Sequence, residues 1–282
     1  MPAHNEHHFI PESFLAKWHV PQPDPRFGDQ LVAFTWAQGR LLSRRRRARG
    51  LAKLAGLYSL RGVTEDVRNS VERLFFQRID NDAAIAHQAL IAGDIGAMTD
   101  EVGNAWIRFL VSLTIRLPHT VNHYRASAPT ALSRQFEGEQ PPEFQTPEFL
   151  DWYEATKDDH ASNITLGAVR KFIEESALHH DLVGLEWIVR DLSVSNCDLV
   201  LGDDPLVRHG SLAQEHLYAL PISPTKLFMA HSNRATLERI VRAPADEIVR
   251  RTNRDSAMRS QRWLFSTGFH HEGLARRYLQ RS

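Results

Sequence analysis

From Thr64 to Gly93 the apolar residues of this chain recur every three to four positions, and no other stretch constrains the fold as much. Val67, Val71, Leu74, Phe75, Ile79, Ala83, Ala86 and Leu90 share one side of a helix. Thr64 stands where an N-cap belongs, Glu65 and Asp66 occupy the electropositive first turn, and Gly93 offers a left-handed stop. A second stripe, Val102, Trp106, Phe109, Leu110 and Leu113, follows Thr99-Asp100-Glu101. The short connection at 94–98 leaves the two helices little choice but to pack antiparallel through their stripes. Arg116-Leu117-Pro118 kinks or ends the second helix. Arg116 falls near the buried stripe, so it needs a carboxylate partner.

On either side of this helical middle the period drops towards two. Leu31–Trp36 reads as a strand, Ala37-Gln38-Gly39 as its turn and Arg40–Ser43 as the returning strand of a hairpin. Before it, Phe14, Leu15 and Trp18 make a short amphipathic helix after Pro11, and Pro21–Pro25 is a loop. Residues 127–145, rich in Pro, Glu and Gln, read as an exposed loop. Thr146-Pro147-Glu148 restarts a helix, and another runs from Asp159 to His180 with Val169, Phe172, Ile173 and Leu178 inward. Strands are expected at Leu185–Arg190, Asp198–Leu201, Leu217–Pro224 and Leu227–His231, with a turn at Ser195-Asn196. A helix over Pro244–Arg262, a short strand at Trp263–Ser266 and a helix after Gly268 complete the chain. The expected fold class is α+β, a helical middle region packed on an antiparallel sheet built from both ends of the chain. No composition break marks a linker, so residues 1–282 are expected to form a single domain.

Lys+Arg and Asp+Glu both number 34, so bulk attraction to nucleic acid or an anionic membrane is not indicated, and only a local patch would bind a polyanion. No apolar run approaches the ~18 residues of a membrane span. The first residues carry neither the basic nor the apolar region of a signal peptide, and a lone cysteine fits a reducing compartment, so a cytoplasmic protein is expected. Cys197 as the only cysteine excludes an internal disulfide and any cysteine-based zinc site. The 15 histidines include the pairs His7-His8, His179-His180 and His270-His271, and neighbours on an extended chain point oppositely, which disfavours chelation of one metal.

Polar chemistry concentrates at Gly202-Asp203-Asp204-Pro205, where a short apolar run delivers two carboxylates to a stiff turn. Asp203 and Asp204 are candidate catalytic groups, as metal ligands or general base, and His8 is the third. Arg44, Arg46 and Arg116 are candidate phosphate contacts, the first two within the Arg44–Arg47 run that leaves the hairpin. The bland reading makes that run a charged strand edge that blocks aggregation, and the Asp pair an Asx-turn with a salt bridge to an arginine.

Several short motifs occur together in order: His7-His8-Phe9-Ile10-Pro11, Leu57-Tyr58-Ser59, Arg116-Leu117-Pro118, Gly202-Asp203-Asp204-Pro205, Pro221-Ile222-Ser223-Pro224, and Asn253 with Ala257. In this the chain resembles a bacterial family catalogued as a domain of unknown function, with an N-terminal His-(Tyr/Phe)-Ile-Pro signature and a later Ser/Thr-Asp-x-Pro turn. Gly202 stands where that pattern has Ser or Thr. The resemblance carries no catalytic residues with it.

Two functions are therefore expected to compete. One is a phosphodiester-cleaving, nuclease-like enzyme using a His/Asp site, with a divalent metal as candidate cofactor and nucleic acid as candidate partner. The alternative is a non-catalytic binding or regulatory module whose His and Asp motifs are structural. The first expects His7–Pro11 to lie against Gly202–Pro205, with His7 or His8 bonded to a carboxylate there and its pKa raised.

Overall fold

A computed structural model describes residues 6–135, 144–209 and 217–281. The chain opens with β1 (Glu6–His8), α1 (Glu12–Leu15) and a 3-10 turn over Ala16–Trp18. β2 (Leu31–Ala37) and β3 (Arg40–Arg46) form the expected hairpin, and β4 (Lys53–Ala55) returns to pair antiparallel with β1. The helical middle then comprises α2 (Glu65–Arg68), α3 (Gln77–Ala92), α4 (Asp100–Ile115), α5 (Pro118–Gln135), α6 (Pro147–Glu175) and α7 (Ala177–Val183). β5 (Glu186–Asp191), β6 (Leu201–Gly202), β7 (Val207–His209), β8 (Leu217–Ser223) and β9 (Lys226–His231) follow. The chain closes with α8 (Arg234–Arg242), α9 (Ala245–Arg259), β10 (Leu264–Ser266) and α10 (Glu272–Tyr278).

The architecture is α+β, with antiparallel sheets from both ends around the helical middle. One sheet, ordered β3-β2-β10-β6, joins the N-terminal hairpin to strands about 200 residues away in sequence, the end-to-end assembly that the pattern predicted. The second sheet, ordered β5-β9-β8-β7, is built wholly from the C-terminal part. Trp106 and Trp187 both meet Phe228 of β9 edge-on, which ties that sheet to α4. None of the described helices is long and apolar enough to cross a membrane.

Four expectations need correction. The helix expected over 64–93 is interrupted: α2 ends at Asn69, and Val71–Phe76 is wound as a π-turn before α3. The wider turn moves Leu74 to 66 % exposure and buries Phe76 completely, so the stripe is shifted by a residue there. The loop expected at 127–145 is helical as far as Gln135, because α5 tolerates Pro129 within it; residues 136–143 of that expected loop lie outside the described residues. The two helices expected after Thr146 are one, α6, which Thr146 caps by accepting from the Phe149 N–H and which ends at Ser176. Phe172, expected inward, is half exposed. α8, begun by the Asn233 cap, was not among the expected helices, although Leu237, Ile240 and Val241 recur at helical spacing.

His87 of α3 shows how the core holds a polar ring. It is buried against Phe14 and Trp106, and its Nε2 lies 2.6 Å from the Ile222 carbonyl, so Nε2–H donates there. Burial pushes its pKa down to about 4. The folded value lies below the unfolded one of about 6.5, so its contribution is complete above pH 6.5 and is lost as pH falls towards 4. His87→Gln should therefore cost less at pH 4.5 than at pH 7, by about 3 kcal/mol. Urea unfolding at the two pH values reads the difference, and an unchanged cost would mean the ring is not held neutral.

Candidate functional site

The motif residues are drawn to two separate places. His7 stacks on Tyr58 and its Nδ1 accepts the Tyr58 N–H at 2.8 Å, which leaves Nε2–H to donate to Asn69 Oδ1 at 3.1 Å. The Tyr58 hydroxyl donates to the Arg116 carbonyl at 2.7 Å. Three of the ordered motifs, around His7, Tyr58 and Arg116, thus converge on one spot. Arg116 is fully buried, donates to Asp80 at 2.8 Å and lies over the Phe76 and Phe109 rings. This is the carboxylate partner that its position demanded. Glu72 is drawn into the same spot, where burial pushes its carboxyl up to about 7 and it meets the His8 backbone. Glu72, Phe76 and Asp80 are spaced by four, which puts them on one face, and all three meet Arg116.

His8 and the Asp pair are not brought together. His8 bonds the Arg49 carbonyl at 3.3 Å, and Glu12, Lys53 and Asp80 are the charges it feels. Burial pushes both His7 and His8 down rather than up, the reverse of the expected shift. Asp203 accepts the backbone N–H groups of Gln261, Arg262 and Trp263 at 2.8–3.0 Å, and its carboxyl is pushed up to about 6 by burial. Asp204 pairs with Arg259 at 2.7 Å. Gly202 is needed for close approach: a Cβ there would meet the Ser256 carbonyl at 2.8 Å and the Ser260 hydroxyl. A serine or threonine would not fit without movement of α9. Arg44 and Arg46 are exposed on β3, the edge strand of its sheet, three strands across from β6.

The second place was missed by sequence reading. Cys197, Asp198, His270 and His271 each offer one ligand atom, and these atoms lie within 4.8 Å of one another. His271 Nε2 is 3.2 Å from Cys197 Sγ, and His270 Nε2 is 2.6 Å from Asp198 Oδ1. The expectation against His pairs assumed an extended chain. Here the pair ends a 3-10 turn, Phe269–His271, and the rings sit 4.2 Å apart, both turned to Asp198. Cys197, set aside for lack of a second cysteine, supplies the thiol of a mixed quartet. The signal that could have found it is a lone Cys-Asp pair set against a His-His pair after Gly268.

An outer ring of bonds fixes the quartet. His271 Nδ1 lies 2.8 Å from Ser266 Oγ, and the Thr267 hydroxyl donates to Asp198 Oδ2. Asn253 of α9 donates to the Asp198 carbonyl at 2.8 Å and accepts from the Val200 N–H at 2.9 Å. Such partners orient metal-ligating groups where a metal is held. Burial and the Asp198 charge push the Cys197 thiol up, and burial holds His271 down at about 4, so its imidazole is neutral. A thiol so disposed is a poor free nucleophile. The quartet opens on a cavity of about 760 Å³ between α9, α10 and the 197 loop.

The model of a family described as a protein of unknown function (DUF4238) matches residues 6–268, and the chain belongs to that family. No curated protein and no solved structure matches the chain.

Proposed function

We propose, taking that family membership and the quartet as premises, a divalent-metal-dependent enzyme that cleaves phosphodiesters at Cys197, Asp198, His270 and His271. The observation that supports this reading is the quartet itself: four donors of three chemistries, from segments some 70 residues apart, meet, and three of them, Cys197, His270 and His271, line an open cavity. Thiol, imidazole and carboxylate together suit Zn²⁺. A bound ion would supply Lewis acidity and a water of lowered pKa. Cys197, Asp198 and His271 would hold it. His270, half exposed and bonded only to Asp198, would yield the fourth position and accept the proton of the attacking water. His8, Asp203, Asp204 and Arg116 are assigned structural roles, since each is bonded within the protein. Residues 1–282 are taken as one domain, a reading supported by the largest of three apolar clusters among the described residues, which joins Phe9, Leu110, Leu220 and Phe265.

The test is zinc titration against a chromogenic chelator, together with hydrolysis of bis-p-nitrophenyl phosphate. Wild type should take up one ion per chain. His271→Ala should lose the ion by at least the ~10–100-fold that even an outer-ring change costs. His270→Ala should keep the ion and lose turnover. No zinc uptake by wild type would end this reading. Uptake without hydrolysis would favour the non-catalytic alternative, for which the protein-satisfied His7, His8, Asp203 and Asp204 already speak.

A further inference from the structure

The wall of the quartet's cavity also carries a row of cations that the sequence reading did not single out. Arg250, Arg251 and Arg254 of α9 all line it. Arg254 stands four residues from Arg250 and three from Arg251, so it neighbours both on the helix surface. All three are exposed, and none makes an ion pair with a described residue. Arg250 uses only its Nε, to the Asp246 carbonyl at 3.2 Å, and Arg254 lies over the Tyr278 ring at 5.9 Å. Two acidic residues share the wall. They are Glu247 and Asp255, the latter also turned to His209 at 3.3 Å, so the three arginines outnumber the carboxylates on it. A thiolate and a carboxylate would neutralise a divalent ion at the quartet, so the row sets the sign of the cavity.

We infer that this face of α9 is a phosphate-binding track for single-stranded nucleic acid, leading its backbone to the quartet. Three features carry it. Guanidinium forks match phosphate oxygens two at a time. Arginines four apart on a helix stand about 6 Å apart along its axis, comparable to successive phosphates of a stretched strand. The row and the quartet share one cavity, and Asn253, on the same helix, bonds the Asp198 carbonyl. The Arg44–Arg47 run leaves β3, the outer edge of the sheet to which β6 and β10 also belong, and none of its residues lines this cavity. A near-zero net charge is no obstacle, since a local track needs only its own field.

The inference rests on the phosphodiester reading for its purpose, but its test stands alone. The probe is a fluorescein-labelled ten-nucleotide thymidine strand, titrated by anisotropy against the full chain with and without added zinc. Exchange of Arg250, Arg251 and Arg254 for Gln should weaken binding at least tenfold and flatten the salt slope by about 0.7 per lost contact. The Arg44–Arg47 to Gln variant should bind like wild type. Equal binding by wild type and the α9 variant, no salt-dependent binding by wild type, or a loss confined to the Arg44–Arg47 variant would each overturn the track. Arginine-dependent binding by a protein that takes up no zinc would keep the track and remove the metal reading. Zinc uptake without arginine-dependent binding would do the reverse. The three side chains are exposed, so the variant should fold, and Arg251→Glu alone serves as a second probe with the same expected direction.

Discussion

Replacing Asp80 by Ala is expected to destabilise the fold by about 3–5 kcal/mol, the cost of leaving a buried cation without its partner. Arg116 is fully buried, and its contact with Asp80 Oδ1 at 2.8 Å is its one ion pair with a described residue. Its Nε and Nη2 have no hydrogen-bond partner among the described residues, so the guanidinium leans on its bond to Asp80 and on the Phe76 and Phe109 ring faces. Glu72 is a poor substitute, because burial holds its carboxyl near neutrality, at about 7. The pair itself need not be stabilising. Asp80→Ala with Arg116→Met removes both charges and fills the space with an apolar chain, and should recover most of the loss. Chemical denaturation of wild type, the single variants and the double variant reads the cycle. A cost under about 1 kcal/mol for Asp80→Ala would mean that water reaches the guanidinium.

Arg116 also shows what kind of feature a sequence displays. A charge on an apolar stripe announces that it must be paired, so the need for a carboxylate was legible, while the identity of Asp80 had to wait for the register of α3. The hairpin, the helix caps at Thr99 and Thr146 and the α+β class were legible for the same reason: each depends on neighbours within a few residues. The quartet depends on closure between residues 197 and 271, brought about when β10 pairs with β2 and β6. No local pattern encodes that contact. His8 and Asp203 were paired by analogy of composition, each polar and next to a proline, yet the backbone N–H groups of 261–263 reached Asp203 first. Composition reports that a side chain must be satisfied and does not say by what.

The register at the π-turn gives the second large effect. A continuous α-helix from Thr64 would place Phe75, four residues before Ile79, inward, and a substitution there would then empty the core. The π-turn over Val71–Phe76 inserts one residue per turn, which carries Leu74 out to solvent, leaves Phe75 half buried and seats Phe76 against Tyr58 at 4.4 Å between ring centroids. Phe76→Ala should therefore cost about 3–5 kcal/mol, through lost burial and a cavity beside Tyr58 and the Arg116 guanidinium. Leu74→Ala should stay within about 0.5 kcal/mol, as surface changes do. Phe75→Ala should fall between them. Glu72, Phe76 and Asp80, spaced by four, share one face, which sets the Asp80 carboxylate, the Phe76 ring and the Glu72 carboxyl about one buried cation. Urea unfolding of the three variants orders them. Should Phe75→Ala prove as costly as Phe76→Ala or costlier, the uninterrupted helix is the right description, and the convergence on Arg116 has to be rebuilt from a different register.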